Sequence, residues 1–285
     1  MIISASYRTD IPAYYGAWFL NRLRAGWAGV ANPYGGQTRR VNLAADAVDG
    51  FVFWTRNPAP FEDGFAAVAA MDRPFVVQMT ITGYPRRLEP GVLEMRAAVA
   101  AFRDLAERYG ASRMVWRYDP VLLTEATPLD WHRENLKRLA DALAGAADEC
   151  VFSFAHIYRK SLRNLRTTGL AWRDPEIEEK RDVLATLAEI VRPAGFRATL
   201  CAQPELVSPA LGPARCIDGA RLERVAGQAI AAKTKGNRPG CYCAESRDIG
   251  RYDACPQGCV YCYANRSRSA AQRRLADHRP SDEQL

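Results

Sequence analysis

The sequence predicts an α/β protein of the (β/α)6 type, a partial TIM barrel, with a cysteine-rich segment towards its C-terminus. Three patterns predict it. Six short runs are almost continuously apolar, as strands buried on both faces of a parallel sheet are. Stretches with apolar residues spaced by three and four separate them. Polar residues gather where run after run ends, which favours a barrel with one central site over an open sheet.

The runs cover residues 2–6, 51–55, 75–82, 113–118, 150–155 and 196–201. The helical patterns cover residues 13–24, with Tyr14, Trp18 and Phe19 on one side, and 91–109, with Val92, Met95, Val99, Phe102 and Leu105 in register; 129–143 and 175–191 follow the same rule. A hairpin interrupts the first unit, with Asn32-Pro33-Tyr34-Gly35-Gly36 as its turn. After Pro204 the character changes: Pro, Gly and Cys become frequent, and only residues 218–232 read as helix. The division predicted is a barrel domain over 1–205 and a cysteine-rich, iron–sulfur-binding segment over 206–285 that completes the barrel.

With 285 residues, 48% of them apolar, the chain can build one large core, and a charged fraction of 25% does not suggest disorder. No apolar run approaches the roughly 20 residues that cross a bilayer, and residues 1–10 lack the marks of a signal peptide. A soluble, cytoplasmic protein without a membrane partner is expected. The net charge of +7 admits an anionic partner. The basic residues are almost all Arg beside abundant Ala, which reads as genome composition. Arg86-Arg87 and the stretch 266–274 are the candidates for phosphate contact; nucleic acid is not the favoured partner.

Five of the eight cysteines, Cys241, Cys243, Cys255, Cys259 and Cys262, crowd into one stretch. Disulfides are not expected in the cytoplasm, so metal binding is. Cys255, Cys259 and Cys262 follow a C-x3-C-x2-C spacing, with Gly258 relieving the turn. Three thiolates so spaced can hold three irons of a cubane and leave the fourth iron open. A structural zinc site completed by a nearby cysteine is the alternative on spacing alone.

The segment Cys255-Pro256-Gln257-Gly258-Cys259-Val260-Tyr261-Cys262-Tyr263 resembles the cluster loop of the radical S-adenosylmethionine superfamily, and its local form is similar to that of spore photoproduct lyase-like members. The resemblance implies a [4Fe–4S] cluster whose open iron chelates the amino and carboxylate groups of S-adenosylmethionine. It also implies homolysis of the sulfonium to a 5′-deoxyadenosyl radical and places Tyr261 near the adenine. A reductant such as flavodoxin or ferredoxin follows as a partner. In those enzymes the motif lies near the N-terminus, after the first strand. Other landmarks resemble a bacterial family known as domain of unknown function 1848: Ile3-Ser4-Ala5-Ser6-Tyr7-Arg8-Thr9-Asp10-Ile11-Pro12, Phe53-Trp54-Thr55-Arg56-Asn57-Pro58, Trp116-Arg117-Tyr118-Asp119-Pro120-Val121, Cys241-Tyr242-Cys243 and Asp248-Ile249-Gly250. A permuted, radical-enzyme-like barrel reconciles the two. Residues 247–252 would be the strand before the cluster loop, 267–276 the helix after it, and the N-terminal strand the second in order.

Cys201, Cys216, Cys241 and Cys243 form a candidate second site for an auxiliary iron–sulfur cluster or zinc; alternatively one of them closes the first cluster. Cys150 reads as a buried strand thiol. The strand-end pairs Arg8 with Asp10 and Arg117 with Asp119 are the catalytic candidates, Arg for carboxylate or phosphate recognition and Asp for hydroxyls or an ammonium; internal salt bridges are the alternative. Arg56, Asn57 and Tyr261 are the cofactor-binding candidates. Trp54 and Trp116 read as core, His132 as helix surface, and His156 as a strand-end residue. The function expected is radical chemistry on an unidentified substrate. The alternatives are a metal-stabilised nucleic-acid-binding or repair-associated module and a barrel hydrolase with structural zinc.

Overall fold

In a computed structural model that describes residues 1–32, 35 and 37–285, every apolar run is a strand. The strands are β1 (Ile2–Ala5), β2 (Trp27–Val30), β3 (Arg39–Asn42), β4 (Gly50–Thr55), β5 (Phe75–Thr80), β6 (Met114–Val121), β7 (Leu123–Thr124), β8 (Glu149–Phe154), β9 (Trp172–Arg173), β10 (Arg197–Leu200), β11 (Gly212–Pro213) and β12 (Ser246–Asp248). Eight of them form one sheet, ordered β11-β10-β8-β6-β5-β4-β1-β12. Every neighbouring pair in it is parallel.

The architecture is therefore mixed α/β with a large parallel sheet, as expected, but the sheet is not closed and holds eight strands rather than six. Its edge strands β11 and β12 have only 2 and 3 residues, too few for a closing ladder. β2 and β3 make the expected antiparallel hairpin. Of its expected turn, Pro33, Tyr34 and Gly36 lie outside the described residues. The strand expected over 247–252 is β12, shorter but parallel to β1, with Ser4 opposite Asp248.

The helices are α1 (Ile11–Tyr14), α2 (Gly16–Ala25), α3 (Glu62–Ala70), α4 (Met95–Tyr109), α5 (Leu129–Leu143), α6 (Arg159–Arg166), α7 (Ile177–Val191), α8 (Gly219–Ala226) and α9 (Arg268–Asp277). Caps set the boundaries that periodicity misses. Glu94 accepts a hydrogen bond from the Arg96 amide, so α4 starts at Met95 rather than at residue 91. Gly227, at φ 68°, ends α8 well before residue 232.

Alternation along each strand sorts side chains onto two faces. Ile3, Ala5, Phe51, Phe53, Phe75, Val77, Met79, Trp116, Tyr118, Cys150 and Phe152 pack against the helices in the main core. Ile2, Val52, Val76, Val115 and Val151 face the other way, onto Cys216, Ile217, Leu222, Cys243 and Ala244. Residues 214–244 thus pack on the second face of the sheet, whereas Leu206, Leu211, Ile249, Ala254 and Leu285 join the main core. Arg221 anchors the stretch 214–244: this buried side chain ion-pairs with Glu149 at 2.8 Å and Asp148 at 2.7 Å.

His132 departs from expectation. It is fully buried rather than on the helix surface, with Nε2 bonded to the Leu122 carbonyl at 3.1 Å and Nδ1 to the Tyr118 hydroxyl at 2.9 Å. Because a carbonyl only accepts, Nε2 carries the proton and Nδ1 accepts from Tyr118. Among the described residues no helix is long and apolar enough to cross a membrane.

Candidate cysteine-ligated centre at the carboxyl ends of the strands

The chain leaves β12 at Asp248, whose carboxylate gathers donors from the end of β1. Ser4 and Ser6 hydroxyls donate to it at 2.8 Å each, and the Tyr7 amide at 3.1 Å. Gly250 follows so closely that a Cβ there would lie 1.9 Å from Ser6 Oγ. The loop carrying Cys255, Cys259 and Cys262 comes next. The Tyr15 hydroxyl donates to the Ala254 carbonyl at 2.7 Å, the Gln257 side chain to Asp10 at 3.0 Å, and the Gly91 amide to the Gln257 carbonyl at 2.9 Å. Gly258 takes φ 80°, a conformation that glycine permits and the spacing anticipated. The loop is thereby fixed to the segments following β1 and β5.

All eight cysteines are free thiols, and those of this loop are partly exposed. Cys262 Sγ accepts from the Ala264 amide at 3.3 Å. Cys255 accepts backbone donors from Gln257 and Asp10. Burial pushes the Cys259 thiol up to about 12, with Arg56 opposing it, and raises Cys255 and Cys262 as well. Burial favours the neutral thiol there, and the N–H donors oppose it. Among the described residues, no three His, Cys, Asp or Glu side chains meet at one centre. A cubane does not require them to, since each cysteine binds a different iron.

Arg56 and Tyr261, expected to bind cofactor, are engaged with each other and with Glu89. Arg56 ion-pairs with Glu89 at 2.9 Å and donates to the Tyr261 hydroxyl at 2.5 Å, and that hydroxyl donates to Glu89. Thr82 also donates to Glu89, at 2.6 Å. The Asn57 side chain accepts from the Ala59 amide at 3.3 Å.

The two Arg-x-Asp pairs have different fates. Arg117 and Asp119 pair with one another, and Arg117 also donates to Gln78 at 3.2 Å and to Cys216 Sγ at 2.9 Å. Burial works against ionisation of Asp119, but Arg117 and Ser153 outweigh it and hold the carboxyl below its ordinary value. Arg8 and Asp10 do not pair. Asp10 caps α1 through the Ala13 amide and accepts from the Arg56 amide at 2.9 Å, because it lies beyond the end of the strand. Arg8 turns instead to Asp248, 3.6 Å away, and lies over the rings of Tyr7 and Tyr252. Trp116 is core, whereas Trp54 is half-buried, donates to Ser4 at 3.1 Å and carries the Arg117 guanidinium 5.0 Å from its ring centre. His156 is exposed beside Tyr158. Glu89 escaped the sequence reading: nothing about a lone Glu in a loop signals burial. Asp248 stood in a family landmark, but without an assigned role.

Cys201, Cys216, Cys241 and Cys243 lie on the second face of the sheet. Cys201 and Cys216 sulfurs are 3.4 Å apart, Cys216 also touches Cys243, and Cys243 touches Cys241. Cys150 lies in the main core, as expected.

A parallel α/β sheet with a cysteine loop at the carboxyl ends of its strands defines the class. Residues 2–264 match the family described as Domain of unknown function (DUF1848), and the chain belongs to that family. No curated protein matches it. A solved structure from Bacteroides thetaiotaomicron VPI-5482, provisionally described as an alpha-L-fucosidase, is similar at TM-score 0.31 and 10% identity over 82% of this chain and 85% of that one. So slight a likeness bears on neither fold nor function.

Proposed function

We propose that this protein holds a [4Fe–4S] cluster on Cys255, Cys259 and Cys262 and uses it for radical chemistry with S-adenosylmethionine on a substrate bound at the carboxyl ends of the strands. One observation carries the reading: the C-x3-C-x2-C loop follows a strand that lies parallel and next to the N-terminal strand. That is the arrangement a circularly permuted partial barrel requires, and ligands of parallel α/β folds sit at this end. The cluster would supply an electron to the sulfonium.

The chain's own residues have supporting tasks. Glu89, Arg56 and Tyr261 fix the loop, and the N–H donors on Cys255 and Cys262 favour their thiolate forms. Arg8, with 15% of its side chain exposed, is a cation available to a carboxylate. The test is anaerobic protein reduced with dithionite and given S-adenosylmethionine, with chromatography for 5′-deoxyadenosine and methionine. Slow formation of both is expected without substrate. 5′-Methylthioadenosine instead would mean that a different sulfonium bond breaks. No cleavage by a loaded, reducible cluster would leave an electron carrier and overturn the proposal.

A further inference from the structure

We propose that Cys201, Cys216, Cys241 and Cys243 form a separate, mononuclear tetrathiolate site that takes zinc and holds the stretch 214–244 against the second face of the sheet. The inference does not depend on the radical-enzyme reading.

Three stretches of chain supply the ligands: Cys201 follows β10, Cys216 follows β11, and Cys241 and Cys243 precede β12. Their sulfurs form a continuous series of contacts, beginning at 3.4 Å between Cys201 and Cys216. A tetrahedral zinc with bonds of about 2.3 Å sets its sulfurs about 3.8 Å apart, close to contact. A cubane instead spreads its cysteines over separate irons. As they stand, the sulfurs make a chain rather than a closed tetrahedron. The end members, Cys201 and Cys241, are the less buried, so rotation of their side chains is the adjustment that closes it.

N–H donors reach all four sulfurs, while neighbouring thiols and burial raise Cys201, Cys216 and Cys243 and only Cys241 is lowered. Arg117 donates to Cys216 at 2.9 Å, Arg238 to Cys201 at 3.6 Å, and the Ile217 amide to Cys243 at 3.4 Å. Cys241 accepts from the amides of Cys243 and Asn237. Every sulfur of the set thus accepts an N–H, the outer-shell support that ligating groups receive. Two guanidiniums also offset the negative charge of four thiolates around one divalent ion. The local chain needs such a centre. Between α8 and β12 there is no helix or ladder strand, only an isolated bridge from Thr234 to Ala244. Gly236 approaches Cys241 so closely that a Cβ would lie 2.1 Å from its carbonyl oxygen. This tight turn has little apolar burial to hold it, and ligation substitutes for core.

The test uses the full chain with Cys255, Cys259 and Cys262 all changed to Ala, leaving only the second set. About one zinc per chain is expected by elemental analysis. Cobalt exchange should give the intense visible bands and sulfur-to-cobalt charge transfer of a tetrahedral tetrathiolate. Adding Cys241→Ser should shift those bands and weaken cobalt binding by about ten-fold or more, with circular dichroism unchanged. Stoichiometric iron and sulfide in the triple variant, a Cys201–Cys216 disulfide, or a folded triple variant without zinc or cobalt would each overturn the proposal. Should the triple variant not fold, wild-type protein decides: one zinc accompanying iron supports it, and iron alone overturns it. Zinc in the triple variant together with iron-free wild type would remove the radical-enzyme reading and leave this one standing.

Discussion

Glu89 and Arg56 form an ion pair of 2.9 Å, and the hydroxyl of Tyr261 bonds to both partners. Arg56 follows β4, Glu89 follows β5 and Tyr261 belongs to the cysteine loop, so one buried network ties the loop to two strand ends. Glu89 is 3% exposed and Arg56 9%. Breaking such a pair from one side leaves an uncompensated charge. Glu89→Gln should therefore cost about 3–5 kcal/mol. Tyr261→Phe removes only hydrogen bonds and should cost about 1–3 kcal/mol. Urea unfolding of both variants checks this; equal costs would mean that the pair is solvated.

Gly250→Ala tests the joint between the cysteine loop and the N-terminal strand. The new Cβ would meet Ser6 Oγ at 1.9 Å and Ser6 Cβ at 2.5 Å, so the turn after β12 or the segment after β1 must shift. A loss of about 1–3 kcal/mol is expected, with faster amide exchange across residues 246–265. Gly195→Ala is the control: its φ is 89° but nothing lies within 4 Å of the added methyl, so only the local conformational cost applies. Unchanged exchange in Gly250→Ala would show that the loop is not anchored there.

The six main strands were legible because burial on both faces writes an unbroken apolar run. Closure was not legible, because it depends on edge strands of 2 and 3 residues that leave almost no pattern. His132 could have been read correctly: it lies three residues after Leu129 and four before Leu136, on the apolar stripe of α5. The pairings Arg8–Asp248 and Arg56–Glu89 were invisible, since their partners are distant in sequence. The like-spaced Arg8–Asp10 and Arg117–Asp119 diverged because a helix starts immediately after Asp10.

The buried His132 predicts a pH dependence. Burial lowers its pKa from 6.5 to about 4, so the folded state binds fewer protons than the unfolded state between those values. The stability it permits is complete above pH 6.5 and falls as pH drops towards 4. By pH 5 the loss should be about 2 kcal/mol. His132→Gln should lower stability at pH 7 but flatten its decline between pH 7 and 5, read from urea midpoints. An equally steep decline in the variant would assign the dependence to other groups.

The cysteine loop predicts metal loss with a defined stoichiometry. Anaerobic wild-type protein should be brown, with an absorbance shoulder that bleaches on dithionite. Changing Cys255, Cys259 and Cys262 together to Ala should remove about four irons per chain. Wild-type protein carrying zinc alone under these conditions would end the radical-enzyme proposal.

Arg117 and Arg8 separate support from contact. Arg117 is 3% exposed and held by Asp119, Gln78, Cys216 and the face of Trp54, so it has little freedom to reach a ligand. Arg117→Ala should destabilise the fold by about 3–5 kcal/mol, because Asp119 loses its charge partner. Cleavage of S-adenosylmethionine per loaded cluster should nevertheless stay within about two-fold of wild type, since a brace is not spent in the reaction. Arg8 has only the longer pair with Asp248 and retains some exposure at the strand ends. Arg8→Ala should cut cleavage per cluster by about ten-fold, equivalent to about 1.4 kcal/mol, with a smaller loss of stability. Chromatographic yield of 5′-deoxyadenosine divided by bound iron measures both. The reverse ranking, with Arg117→Ala the slower per cluster, would place Arg117 at the cofactor and make Arg8 the brace.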